Sequence, residues 1–183
     1  MSAEDAKEFV RMAKFAPLGL RGLGAGIDSQ YGMAHIKDYV KQANEETLLV
    51  VMIEDQEVVA CVDSIAAVEG IDVLFVGPAD LSQSYGVTGQ VGHPLVLQAM
   101  EKVSAACKKH GKTWGSVPEP GGRIEKLLDL GAQFINIVSD IRVLIDGFQA
   151  AREKVTQKPG NSRGATASSG GVGRTATLTP SGS

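Results

Sequence analysis

The sequence is poor in the residues on which compact reactive sites are most often built. Its 183 residues include two cysteines, three histidines and one tryptophan. Cys61 and Cys107 stand far apart, without CxxC spacing or a neighbouring histidine. This argues against a zinc ribbon or a disulfide framework and leaves two core or surface thiols. His35, His93 and His110 fall beside a polar helix face, at a helix start and at a helix C-terminus, positions where structural roles are ordinary. HExxH, GxxxxGK[ST] and an ordered Ser, His and Asp set are all missing. No apolar run approaches the ~18 residues that span a bilayer, and the acidic start MSAEDAKEF is unlike a secretory leader. A cytoplasmic location with no membrane partner is expected.

Positive charge is also scarce. Lys and Arg number 18 against 21 Asp and Glu, for a net charge of −3. Residues 157–183 hold Lys158, Arg163 and Arg174 and no acid, so they carry +3 and the preceding 156 residues carry −6. A nucleic-acid partner needs a clustered basic excess and is not expected. The same last residues are rich in Gly, Ser and Thr without apolar periodicity, so they cannot bury enough surface to offset ordering entropy. They are read as a disordered tail, residues 157–183, following one folded domain, residues 1–156.

What the domain does contain is a regular alternation of helical and strand patterns. Ser2 with Asp5 resembles a capping box, and Ala6, Phe9, Val10 and Ala13 recur at helical spacing until Pro17 and Gly19. Ile36, Tyr39, Val40 and Ala43 suggest a second helix. A near-continuous apolar strand follows over residues 47–53, of the kind buried in a parallel sheet. Next come a helix through Val58, Val59, Val62, Ile65 and Ala66, a strand over residues 72–76, and a loop over residues 77–92. His93-Pro94 then opens a helix that ends in Lys108-Lys109-His110 before Gly111. A strand at residues 112–117, a helix ending at Leu130-Gly131, a strand at residues 133–138 and a helix to about Val155 complete the series. The cluster Gly22, Gly24, Gly26 does not follow a strand, so it is not a dinucleotide fingerprint.

Repeated β/α units imply parallel strands with right-handed crossovers, in a doubly wound sheet or a (β/α)8 barrel. Acidic residues at the strand ends favour the barrel: Glu54, Asp80, Glu119 and Asp140 follow the four strands in turn, where such barrels gather their functional groups. Glu54 and Asp80 belong to adjacent strand ends. Two carboxylates with waters and a chelating ligand suit a hard divalent cation, while acids at helix starts also serve simply as caps.

Five stretches make the resemblance specific: PLGLRGLG (17–24), KQANEETLLVVMIE (41–54), IAAVEGIDVLFVGPADLS (65–82), GHP (92–94) and GAQFINIVSD (131–140). Together they resemble the HpcH/HpaI aldolase family, metal-dependent class II pyruvate aldolases with macrophomate synthase as a relative, over nearly all of residues 2–155. The resemblance implies an α/β fold, here the C-terminal half of a TIM-type (β/α)8 barrel with about four parallel strands, in a homo-oligomer. It also implies that Glu54 and Asp80 ligate a divalent metal (Mg²⁺ or Mn²⁺, with Co²⁺ a further candidate), and that the backbone of Ala79 and Asp80 binds the carboxylate of a small 2-oxo acid such as pyruvate. The implied reaction is that of a carbon–carbon lyase, cleaving or forming 4-hydroxy-2-oxo acids. Two departures stand out. The family's glutamine two residues before the metal glutamate is Met52 here. The family's histidine base and carbonyl-polarising arginine, which belong to the first four strands, have no counterpart, so no catalytic residue is identified. The alternative is a catalytically incomplete half-barrel that binds metal and keto acid, or that needs a complementary half-barrel.

Overall fold

Each apolar run becomes a strand shorter than its sequence pattern, because a parallel ladder lasts only while the neighbouring strand offers partners. A computed structural model describes residues 1–119 and 124–156; the expected tail lies outside the described residues. The strands are β1 Val50–Ile53, β2 Val73–Val76, β3 Thr113–Ser116 and β4 Phe134–Ile135. They form one parallel sheet in the order β1-β2-β3-β4, with Val50 opposite Val73 and Val73 opposite Thr113. Helices precede and connect them: α1 Ala3–Ala13, α2 Ile36–Glu46, α3 Gln56–Ala60, α4 Val62–Ala66, α5 Pro78–Ser84, α6 Pro94–His110 and α7 Glu125–Asp129. Four consecutive parallel strands with helical crossovers are the expected half of a (β/α)8 barrel.

Side chains alternate across a strand, and here the alternation separates two faces. Val51, Ile53, Leu74, Val76 and Trp114 are buried in the main core. The long helix α6 covers them, packing on β2 and β3 and against α3, α4 and α5, while α1 packs on α4. A fully buried side chain such as Leu74 contributes ~1.5–3 kcal/mol through burial. The other face carries a row set by the register: Met52, Phe75, Gly115 and Phe134 stand side by side. Met52 and Phe134 are 42% and 39% exposed, so this apolar row is only partly covered. Phe75 and Phe134 meet edge to face at 5.9 Å across Gly115, the one residue small enough to let the rings touch.

Helix ends follow local chemistry. The capping box of α1 forms, with Asp5 N–H donating to Ser2 Oγ at 3.2 Å and Ser2 N–H donating to Asp5 Oδ2 at 2.7 Å. His93 Nδ1 accepts from the Leu95 N–H at the start of α6, and Gly111 ends that helix in the left-handed region with φ 65°. Two patterns resolve differently from their sequence reading. The helical pattern over 58–66 is two short helices broken at Cys61, because its apolar spacing runs unchanged across the break. The segment 77–92, expected as a loop, begins with α5: Pro78 takes the first helical position, where its missing N–H costs nothing.

The stretch 17–24 is irregular, and its arginine has a structural partner set. Arg21 lies 4.5 Å above the Phe15 ring and pairs with Asp28 at 2.6 Å, while Tyr39 donates to the same Asp28 oxygen at 2.6 Å. A second unit begins at Asp140. Its described part is the helix α8, Asp140–Thr156, in which no residue is buried and Ile141, Leu144, Ile145 and Phe148 are all exposed.

Candidate functional site

Because the strands are parallel, residues that follow β1 and β2 leave the sheet along one edge. The ladder holds Ile53 opposite Val76, and the Gly77 N–H donates to the Ile53 carbonyl at 3.0 Å. Glu54 and Gly77 are therefore neighbours by construction. A Cβ built on Gly77 would lie 3.1 Å from Glu54 Oε2 and 3.3 Å from both Glu54 Cβ and Met52 Cε. The absence of a side chain at Gly77 thus makes the space into which the Glu54 carboxylate folds. Met52 and Glu54, two residues apart, emerge on the same face; Ile53 between them goes to the core.

Asp80 is not the cap of α5. Gly77 occupies that position without a side-chain hydrogen bond, and Asp80 lies three residues into the helix. The first backbone bond of α5 runs from the Leu81 N–H to the Gly77 carbonyl at 3.0 Å, which leaves the amides of Ala79 and Asp80 free at the helix start. Both residues are exposed. An acid in this turn opposes the helix macrodipole, but the carboxylate itself is uncommitted. Neither Glu54 nor Asp80 makes a hydrogen bond or ion pair with a described residue.

The orientation of α5 is fixed at its far end. Ser84 Oγ donates to Asp55 Oδ2 at 3.2 Å and accepts from the Gln56 N–H at 3.0 Å, while Asp55 Oδ1 caps α3 through the Glu57 N–H at 2.7 Å. Ser84 lies one turn beyond Asp80 on the same helical face. The bond to Asp55 therefore ties the end of α5 to the residue that follows Glu54. Ser82, fully buried, steadies the middle of the helix by donating to the Ala79 carbonyl at 2.6 Å and accepting from the Gly89 N–H at 2.9 Å.

The other strand-end acids do not join this pair. Glu119 lies against Gly92, where an added Cβ would stand 2.7 Å from Glu119 Oε1, and it borders an apolar cleft of about 560 Å³ between α6 and α7. That cleft is lined by Val91, Leu97, Met100, Val117, Leu127 and Leu130, and by neither Glu54 nor Asp80. Asp140 belongs to the second unit and accepts from the Ile141 N–H at 2.7 Å. No set of three or more His, Cys, Asp or Glu among the described residues could hold an ion by itself. The histidines are engaged elsewhere than with this pair: His35 with Asp38 at 3.1 Å, His93 in its cap, and His110 with Asp63 at 3.1 Å. Sequence reasoning did not find Asp55 and Ser84. The available signal was serine one helical turn after Asp80, visible only once residues 78–84 are taken as a helix.

The comparisons with known proteins agree with this architecture. The model of the HpcH/HpaI aldolase/citrate lyase family matches residues 1–147. A hydroxypyruvate/pyruvate aldolase of Roseobacter denitrificans is 36% identical over 145 residues, covering 79% of this chain and 57% of that protein. A 4-hydroxy-2-oxo-heptane-1,7-dioate aldolase of Escherichia coli is 33% identical over 149 residues, covering 81% of this chain and 57% of that protein. Among solved structures, an HpcH/HpaI aldolase from Desulfitobacterium hafniense superposes with a TM-score of 0.78 at 32% identity, over 87% of this chain and 62% of that one. The chain belongs to the HpcH/HpaI aldolase/citrate lyase family. It spans rather more than half the length of these relatives.

Proposed function

We propose that this chain carries the metal and carboxylate-binding part of a pyruvate-type aldolase, a carbon–carbon lyase that cleaves or forms 4-hydroxy-2-oxo acids. One observation carries the reading: two uncommitted carboxylates, Glu54 and Asp80, leave adjacent strand ends on one edge, with Gly77 giving the first of them room. The relatives are aldolases by name, and 2-oxo acids figure in those names. A pair of carboxylates completed by water and substrate oxygens suits Mg²⁺ or Mn²⁺, with Co²⁺ a further candidate, better than a cation that needs a full protein cage.

In this reading Glu54 and Asp80 hold the cation, which when bound supplies Lewis-acid stabilisation of negative charge on a 2-oxo acid. The free amides of Ala79 and Asp80 donate to the acid's carboxylate, as unsatisfied N–H groups at a helix start do for anions. Met52 gives this edge a thioether where the family has an amide, so it orders no substrate oxygen or water by a strong hydrogen bond. Gly77 keeps the Glu54 carboxylate low against the sheet. A second reading is favoured by the histidines, each already engaged in a cap or an ion pair with neither Glu54 nor Asp80. Under it the chain binds metal and keto acid but depends on a complementary half-barrel or further residues for proton transfer.

Calorimetry with oxalate, a planar mimic of the pyruvate enolate, tests the site. Oxalate is expected to bind in the presence of Mn²⁺, not in its absence, and not to the Asp80→Ala chain. Equal binding by Asp80→Ala sinks the assignment. Pyruvate release from a 4-hydroxy-2-oxo acid then separates the aldolase from the binding module.

A further inference from the structure

We infer that Ser84 and Asp55 are positioning residues for the Glu54 and Asp80 pair, an inference that rests on the metal reading above. The sheet fixes one end of this arrangement through the Gly77 N–H to Ile53 carbonyl bond of 3.0 Å. Beyond that point nothing in the ladder sets the direction of α5, a helix of seven residues. Buried Leu81 and the packing of α6 hold its inner side, and its far end is tied to the β1 side by Ser84, which donates to Asp55 Oδ2 at 3.2 Å and accepts from the Gln56 N–H at 3.0 Å. The result is a closed ring of short links. It runs from Ile53 through Glu54 to Asp55, across the hydrogen bond to Ser84, back along α5 to Asp80, and across Gly77 to Ile53.

Both carboxylates lie on this ring, one at each side of the closure. Asp55 is the covalent neighbour of Glu54, and Ser84 is one turn from Asp80, so the Ser84 hydroxyl couples the two sides. Its two bonds use it once as donor and once as acceptor; Ser82 does the same from the middle of α5, but its bonds run to Ala79 and Gly89 rather than to the residue beside Glu54. Asp55 accepts one hydrogen bond on each oxygen, from the Glu57 N–H at 2.7 Å and from Ser84, so its carboxylate is held against α3 and α5 and is assigned a role through its neighbours. Ligands spaced by a rigid support bind a cation more tightly than ligands that must be gathered; groups bonded directly to ligands are worth ~10–100-fold in affinity, and Ser84, which acts through the residue beside Glu54, is assigned the low end of that range.

The test is Mn²⁺ titration calorimetry on the full chain, paired with thermal unfolding, for wild type, Ser84→Ala, Ser84→Thr and a control, Ser104→Ala. Ser104 donates to the Leu130 carbonyl at 2.6 Å, away from the strand-end pair, so its loss measures the general effect of deleting a hydroxyl. Ser84→Ala is expected to weaken Mn²⁺ binding by ~10-fold or more while unfolding no earlier than the control, and Ser84→Thr, which keeps the hydroxyl, to restore most of the affinity. Should Ser84→Ala not fold, Ser84→Cys takes its place, with a weak donor and acceptor in a similar volume. Wild-type affinity in the Ser84 variant, or an equal loss in Ser104→Ala, overturns the positioning role and leaves the metal reading standing. A wild-type chain that takes up no Mn²⁺ overturns the metal reading, and the positioning role with it.

Discussion

Replacing Gly115 with alanine should detach β4 from the sheet. Gly115 stands opposite Phe134, and an added Cβ would collide with the Phe134 carbonyl and lie 2.8 Å from the Phe134 Cβ. The first obstacle is backbone, which cannot step aside as a flexible side chain would. Beyond its short ladder with β3, β4 has two flanking bonds: the Gln133 N–H donates to the Trp114 carbonyl at 3.0 Å and the Asn136 N–H to the Ser116 carbonyl at 3.2 Å. The Phe75 and Phe134 rings add one edge-to-face pair. At ~1 kcal/mol for each flanking hydrogen bond and up to ~1.5 kcal/mol for the ring pair, loss of these contacts alone costs about 3 kcal/mol. Amide hydrogen exchange reads this locally: protection of Gln133 and Asn136 should fall by about two orders of magnitude, since each 1.4 kcal/mol is about tenfold. Gly22→Ala is the control, because nothing lies within 4 Å of its added Cβ. Protection of both amides within threefold of wild type in Gly115→Ala would refute the steric reasoning.

Two further outcomes follow from the thiols and from a surface carboxylate. Burial pushes the Cys107 thiol up to about 11, so at pH 8 a disulfide reagent should modify Cys61 alone in the folded chain and reach Cys107 only after denaturation; two fast thiols would contradict this burial. Hydrogen bonds from Lys109 and then His110 hold the Asp63 carboxyl below its ordinary value of 3.8. A carboxyl lowered by folding stabilises the fold at pH above its ordinary value, and that contribution is lost as pH falls through the folded value. Lys109→Ala should raise the Asp63 midpoint in a carbon-detected NMR titration, and an unchanged midpoint would contradict the assigned cause.

Much of this structure was legible in the sequence where one residue type dictates one backbone state. His93-Pro94 and Gly111 bracket α6 because proline suits a first turn and glycine suits a left-handed end. The capping box from Ser2 to Asp5 forms as written. Strand lengths were less legible, because apolar runs outlast their ladders. Thr47 ends α2 rather than opening a strand, and Ile137 and Val138, though strand-like in sequence, are exposed beyond the last β4 bond. The helix α5 was hidden because Gly77-Pro78 reads equally as a turn and as a helix start. Missing that helix also hid Ser84. The acids at the strand ends could be found by position, yet only the structure separates them: Glu54 stands beside Gly77, Glu119 lies against Gly92 and Asp140 begins the second unit.

The central claim is that Glu54 and Asp80 hold one divalent cation between them. It is tested most directly by titrating Mn²⁺ into the wild-type chain and into Glu54→Gln and Asp80→Asn, which keep side-chain shape and remove one charge each. The expected result is about one ion bound per wild-type chain, with most of the affinity lost in each variant, because a hard cation is held chiefly by carboxylate charge. A wild-type chain that binds no Mn²⁺, or variants that bind it as well as wild type, would contradict the claim.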